Sequence, residues 1–141
     1  MSAVDRATFA ERAAVLERHL VRVQDRLPVD AADMQPMSDT SDAVVLHLWQ
    51  AVQVVIDIAT SVCVSRGLGV PPTYADAFRL LAGDGVLPEN LSRRLVQAAG
   101  FRNLVVHAYA DLDLQRVYAA AAAGPDDLRA FLKAIRDIIE K

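Results

Sequence analysis

The sequence predicts an all-α fold, a helical bundle folded as one domain over residues 1–141, and three observations carry that prediction. Hydrophobic residues make up 53% of the chain but aromatics only 6%, with Ala, Val and Leu predominant, a composition that suits packed helices better than a β-sandwich. Apolar residues recur at three- and four-residue steps along most of the chain, the period of a half-buried helix. A chain of 141 residues can bury roughly two-thirds of its unfolded surface around one core.

The elements follow in order. Phe9, Ala13, Leu16, Leu20, Val23 and Leu27 line one face of a first helix, which Pro28 stops. His19 lies beside that stripe, as a partly exposed helix residue does. Residues 29–42 (VDAADMQPMSDTSD) are acidic and turn-rich, a connector with Ser and Asp residues suited to cap the next helix. That helix, over about residues 42–65, is apolar on most of its surface and is expected to be central. Taken alone, VVIDIATSVCV would also suit a buried strand. Its flanks, HLWQAVQ and SRG, continue the helical period, and no partner strand is visible. Gly67 and Gly69 end the helix, and Pro71-Pro72-Thr73 opens a short one carrying Tyr74, Phe78 and Leu81. Beyond Gly83-Asp84-Gly85, Pro88 suits the first turn of a helix carrying Leu91, Leu95, Ala98, Leu104 and Val105. A turn, AYADLD, follows, with Asp111 or Asp113 as cap. Two shorter helices are expected to close the bundle, split at Gly124-Pro125: one over residues 114–122 and one over residues 126–140, the latter burying Leu128, Phe131, Leu132, Ile135 and Ile138.

Charge narrows the function. Net charge is −3 and the pI about 5.5, whereas proteins held to nucleic acid by general electrostatics are usually basic. Contact with RNA must come from a local patch. The N-terminal residues carry acids and no continuous apolar segment, so a signal peptide is not expected. The longest apolar region, residues 43–64, is broken by His47, Gln50, Gln53 and Asp57, and no membrane span is expected. The lone Cys63, between Val62 and Val64, reads as a buried, inert thiol. The chain is expected in the cytosol, with no membrane partner.

Residues 102–109, RNLVVHAY, raise a different question, because an arginine, an imidazole and a phenol interrupt an apolar helical run. Between residues 86 and 109 the one carboxylate is Glu89, against Arg93, Arg94 and Arg102, a local charge of +2 suited to an anionic ligand. At about 100° per residue, Arg102 and His107 lie about 140° apart and Asn103 and His107 about 40°. A straight helix therefore does not aim all of them at one point. Either the helix loosens near Ala108 and the arginine bends round, or two copies of the helix face each other. The second arrangement makes a homodimer the expectation.

The available chemistry is limited. No Cys/His/Glu spacing suits zinc, no close group of acids suits magnesium, and GLGVPP lacks the features of a phosphate loop, so neither a metal nor another cofactor is expected. Arg102 can clamp two phosphate oxygens and His107 can take or give a proton near neutral pH. Those two functions suffice for metal-free RNA cleavage with the ribose 2′-hydroxyl as nucleophile. The spacing alone fits a satisfied polar network equally well.

Asp57, in VVIDIAT, reads as a carboxylate among branched apolar residues, and such a group needs a cation or several donors. Gln50, Gln53 and Asp57 form a polar stripe at three- and four-residue steps. Arg102 or His107 would serve as partner to Asp57, holding the catalytic group in place. A bond to Ser61, or to an arginine outside the site, is the alternative.

The segment RNLVVHAY matches the R-x4-H-x-Y signature of the HEPN superfamily, including the Asn directly after the Arg, and closely resembles the HepT toxins. The similarity extends over residues 51–109, through the helix containing Asp57, the G-x-P-x-TYADAF turn and helix, and the FRN-LVH core. It fades in the first forty residues and the last thirty. The resemblance implies an up-and-down bundle of about five to six helices, homodimeric, with two motifs lining a shared cleft. It implies a metal-independent endoribonuclease toxin of a type VII toxin–antitoxin pair, acting on cellular RNA such as tRNA or mRNA beside an MntA-like nucleotidyltransferase antitoxin. Within it, Arg102 polarises the scissile phosphate, His107 transfers the proton, Asn103 orients the histidine or a phosphate oxygen, and Tyr109 is the residue that the antitoxin modifies with AMP. The alternative is a non-catalytic HEPN module that binds substrate or partner beside a nucleotidyltransferase. Ala108 stands where many relatives carry an acid.

Overall fold

The computed structural model describes residues 6–140 as five α-helices: α1 (Arg6–Arg26), α2 (Asp39–Ser65), α3 (Tyr74–Gly83), α4 (Glu89–Ala108) and α5 (Leu114–Ile139). Two 3₁₀ turns, Ala31–Asp33 and Tyr109–Asp111, sit in the connections before α2 and α5, and no strand occurs among the described residues. The all-α expectation is met, and five helices fall within the five to six that the family resemblance implies.

Local chemistry accounts for most of the boundaries. Ser38 accepts a hydrogen bond from Ser41 N and caps α2, Thr73 accepts from Asp76 N and caps α3, and Asp113 accepts from Gln115 N and Arg116 N at the start of α5. Each cap satisfies a donor that the first helical turn leaves free, worth about 1 kcal/mol. At the far end of α2 the chain turns through Gly67 at φ +76° and Gly69 at φ +86°, the left-handed region that glycine enters without strain.

α2 is the central element and packs against all four other helices. Val44, Leu48, Val55, Ile56, Ile58 and Val62 are each essentially fully buried on it. The larger core cluster joins Val55, Ile56, Ile58 and Val62 to Leu16 and Leu20 of α1, Phe78 of α3, Leu95 of α4, and Phe131 and Ile135 of α5. Phe78 and Phe131 meet edge to face with ring centroids 6.0 Å apart. A smaller cluster of Val23, Met34, Val44, Leu48, Val105 and Val117 lies beneath the end of α4 that carries the RNLVVHAY segment.

Three expectations need correction. α5 is one continuous helix of 26 residues through Pro125 rather than two. An interior proline costs about 3 kcal/mol, but Val117, Ala121, Pro125, Leu128, Leu132 and Ile135 form a single buried stripe through it. Burial of large apolar side chains at about 1.5–3 kcal/mol each offsets that cost. Leu104, expected in the buried stripe of α4, is exposed; Leu91, Leu95 and Val105 are buried as expected, and Ala99 is buried beside them. Finally, α2 is long and apolar enough by length and composition to cross a membrane, with an 18-residue window of mean hydropathy 1.5. Its polar residues are too few to break the window, and half of that window is buried inside the bundle.

Candidate phosphate site at the end of α4

The C-terminal turns of α4 project beyond the core. Val105 anchors them, while Asn103, Leu104, Val106 and His107 face outward. α4 ends at Ala108, whose φ of −143° and ψ of 36° leave the helical region, and Tyr109 begins the 3₁₀ turn. The helix therefore loosens near Ala108, one of the two arrangements that the angular argument offers.

Arg102 is held entirely by neutral groups. Its Nε donates to Gln53 Oε1 on α2 at 2.8 Å, its Nη1 donates to Asn103 Oδ1 at 3.1 Å, and its Cζ lies 4.8 Å from the centroid of the Tyr74 ring on α3. No carboxylate among the described residues pairs with it. The other two arginines of the segment differ: Arg94 Nε lies 2.9 Å from Asp127 Oδ1 of α5, and Arg93 lies 4.0 Å from Glu89 in an exposed pair. The local charge of +2 counted along α4 thus shrinks, in three dimensions, to the guanidinium of Arg102. An amide acceptor and an aromatic face orient a cation without neutralising it, which keeps its charge available to an anion.

Asp57 is exposed, and the expectation of a buried carboxylate is corrected. Ile56 and Ile58 flank it in sequence, but each is turned about 100° away around the helix. Asp57 Oδ1 accepts from Gln53 Nε2 at 3.0 Å, so it reaches Arg102 through the Gln53 amide and not directly. Ser61, the other partner considered, accepts instead from Arg12 Nη1 at 3.1 Å.

His107 is exposed and makes no hydrogen bond or ion pair among the described residues. Asn103 binds Arg102 and not the imidazole. No hydrogen bond joins Arg102 and His107 within one copy of the chain. Around them Leu46, Leu104 and Val106 are each nearly half exposed, at 48%, 48% and 47%.

Tyr109 donates its hydroxyl proton to Asp42 Oδ1 at 2.7 Å, across to the first turn of α2. That bond to a carboxylate, helped by partial burial, pushes the phenol above its ordinary pKa. The tyrosine stands between two surface hollows. One of about 520 Å³ is lined by Asp42, Val45, Leu46, Trp49, Val105 and Val106. The other, of about 140 Å³, is lined by Pro36, Met37, Ser41, Asp42, Val45, Ala110, Leu112 and Leu114.

Sequence reasoning missed three of these residues. Gln53 had been noticed only as part of a stripe, Tyr74 only as an apolar position, and Asp42 only as a helix start. The Gln53–Asp57 spacing of four was the one signal visible along the chain. It also missed a pair outside the segment: His19 and His47 place their Nδ1 atoms 3.1 Å apart between α1 and α2. No three His, Cys, Asp or Glu side chains among the described residues are grouped to hold a metal ion.

Known proteins share the fold and part of the sequence. A family model described as Ribonuclease HepT-like matches residues 16–135. The mRNA nuclease HepT of Shewanella oneidensis is 29% identical over 123 residues, covering 87% of this chain and 92% of that protein. Among solved structures, the tri-AMPylated Shewanella oneidensis HEPN toxin in complex with MNT antitoxin superposes with a TM-score of 0.82 at 28% identity, covering 92% of this chain and 96% of that chain. A cytosolic protein of unknown function from Bacillus subtilis, YutE, shares the fold at 20% identity, with a TM-score of 0.83, covering 98% of this chain and 92% of that chain.

Proposed function

The chain belongs to the HepT-like ribonuclease family, and we propose that it is a metal-independent endoribonuclease toxin of a type VII toxin–antitoxin pair, folded as one HEPN-type domain over residues 1–141 and acting in the cytosol on cellular RNA, mRNA or tRNA. The observation that carries this reading is the guanidinium of Arg102, oriented by Gln53, Asn103 and Tyr74 and left without a carboxylate. Arg94 and Arg129, by contrast, are each paired with a carboxylate of another helix.

In the reaction the ribose 2′-hydroxyl attacks the adjacent phosphorus, the P–O5′ bond breaks, and a 2′,3′-cyclic phosphate and a 5′-hydroxyl form. Arg102 binds the non-bridging oxygens and stabilises the charge that builds on them. His107 takes the 2′ proton or gives one to the leaving oxygen. Asn103 steadies Arg102, and Asp57 acts on it at one remove through Gln53. His107 makes no bond to the arginine of its own chain, and exposed Leu104 lies one turn before it on the same face of α4. A homodimer would cover that apolar surface and bring the two motifs to one cleft. Tyr109 is the residue that an MntA-like nucleotidyltransferase antitoxin modifies with AMP, which sets negative charge and bulk where RNA phosphate must lie.

The test is induction of this chain alone in cells, wild type beside His107→Ala, with total RNA examined for new fragments. Growth arrest with cleavage in the wild type only is the expected result. Arrest by both forms would move the toxicity from cleavage to binding. Neither arrest nor fragments, from folded protein unmodified at Tyr109, would favour the non-catalytic module.

A further inference from the structure

The hydrogen bond between Tyr109 and Asp42 joins residues 67 apart in sequence, and its donor is the tyrosine read above as the site of AMP transfer. We propose that Asp42 is the proton acceptor for that transfer, an inference that rests on the reading of Tyr109 as the modified residue. A phenol is a weak nucleophile until it loses its proton, which in water requires a pH near 10. As the phenolic oxygen bonds to the α-phosphorus of a nucleoside triphosphate, the bond from that phosphorus to the oxygen bridging to the β-phosphate breaks. Pyrophosphate leaves, and the phenolic proton passes to the Asp42 carboxylate. The partner nucleotidyltransferase supplies the triphosphate.

Several observations single out Asp42. Its Oδ1 is already 2.7 Å from the oxygen that must react, the distance a general base needs. It forms no ion pair among the described residues, so no cation competes for the carboxylate. Asp113, also near in sequence, is engaged as the cap of α5 by Gln115 N and Arg116 N, and Asp111 makes no bond to the phenol. Tyr109 is half exposed, at 49%, and a hollow walled by Leu46, Trp49 and Val106 opens beside it, of a size that suits a nucleotide. The same bond holds the phenol in its neutral form at rest, so the proton stays until a base removes it.

The competing account is that the bond merely ties the 3₁₀ turn to α2, and the choice of variants separates the two. The amide oxygen of Asp42→Asn still accepts from the phenol but cannot take its proton. In the toxin–antitoxin complex supplied with α-labelled ATP, the initial rate of label incorporation into Tyr109, located by peptide mass spectrometry, is followed from pH 6 to pH 9. Wild type should vary little over that range. Asp42→Asn should be slower at pH 7 by about 100-fold or more, with a rate climbing roughly tenfold per pH unit because hydroxide must do the work of the base. Asp42→Glu should recover most of the rate. Label entering the Asn variant at the wild-type rate, or all three forms sharing one pH profile, would overturn the proposal and leave the modification reading intact. Wild type that binds the antitoxin and takes no label on Tyr109 would overturn both.

Discussion

Arg102 donates its Nε proton to the Gln53 side-chain oxygen at 2.8 Å, and Gln53 turns its amide nitrogen to Asp57 at 3.0 Å. The Gln53 amide stands between the cation and the acid, so Arg102 is aimed without being neutralised. Replacing it with lysine removes the planar fork and the contact with the Tyr74 face while keeping the charge. RNA cleavage by Arg102→Lys should fall by about 100-fold or more, with the helical circular dichroism retained. Cleavage at the wild-type rate would mean that charge alone suffices.

The same chain of bonds ranks its members. Gln53→Leu removes an acceptor from a charged donor, a loss of about 1.5 kcal/mol, and should slow cleavage about tenfold. Asp57→Asn leaves an acceptor for Gln53 and should stay within about twofold on the same scale. Initial rates on one RNA substrate decide the order, and a larger effect at Asp57 would reverse it.

Pro125 lies inside α5 with no backbone N–H to give. Pro125→Ala restores that donor and relieves the ring, a gain of up to about 3 kcal/mol, reduced by the loss of buried ring surface. A net stabilisation of about 1–2 kcal/mol by urea unfolding is expected. Destabilisation would show that packing of the ring outweighs the backbone term.

His19 and His47 face each other at 3.1 Å, and at least one ring must be neutral to accept. Burial holds both below the ordinary histidine pKa, followed for His19 by His47, Arg22 and Arg18, and for His47 by Arg22 and Arg26. A depressed folded-state pKa means that the unfolded chain binds these protons first as pH drops. Their contribution to stability is therefore full above about pH 6.5 and is lost as pH falls through the folded values. Melting at pH 5.5 should come at a lower temperature than at pH 7.5, and His47→Gln should narrow that difference. An unchanged gap in the variant would assign the pH response to other groups.

Leu104 is 48% exposed and lies one turn before His107 on the same face of α4, an apolar surface beside the imidazole. If that surface closes a dimer, Leu104→Glu should yield monomers in sedimentation at micromolar concentration and abolish cleavage, with the helical circular dichroism retained. A dimer that survives the change would place the interface elsewhere.

Much of this molecule was legible along the chain. The apolar period of α1 and α2, the caps before α2 and α5, and the loosening at Ala108 are local matters, set by steric preference and by donors within a few residues of their acceptors. Where the reading failed, a local signal met a nonlocal energy. Pro125 announces a break, but the buried stripe running through it outweighs the break once α5 has a core to lie against. Asp57 looks buried among its neighbours in sequence, and which side of α2 faces solvent depends on where α1 and α4 pack.

The candidate site divides in the same way. RNLVVHAY announces its chemistry through residue type and spacing, because a guanidinium, an imidazole and a phenol carry their reactivity with them. Which of those groups is free to act depends on partners from other helices: Asp127 on α5 neutralises Arg94, Gln53 and Tyr74 leave Arg102 charged, and Asp42 accepts a hydrogen bond from the Tyr109 phenol. Charge pairing falls off within a few ångströms, so it follows distance in space and is invisible to distance along the chain.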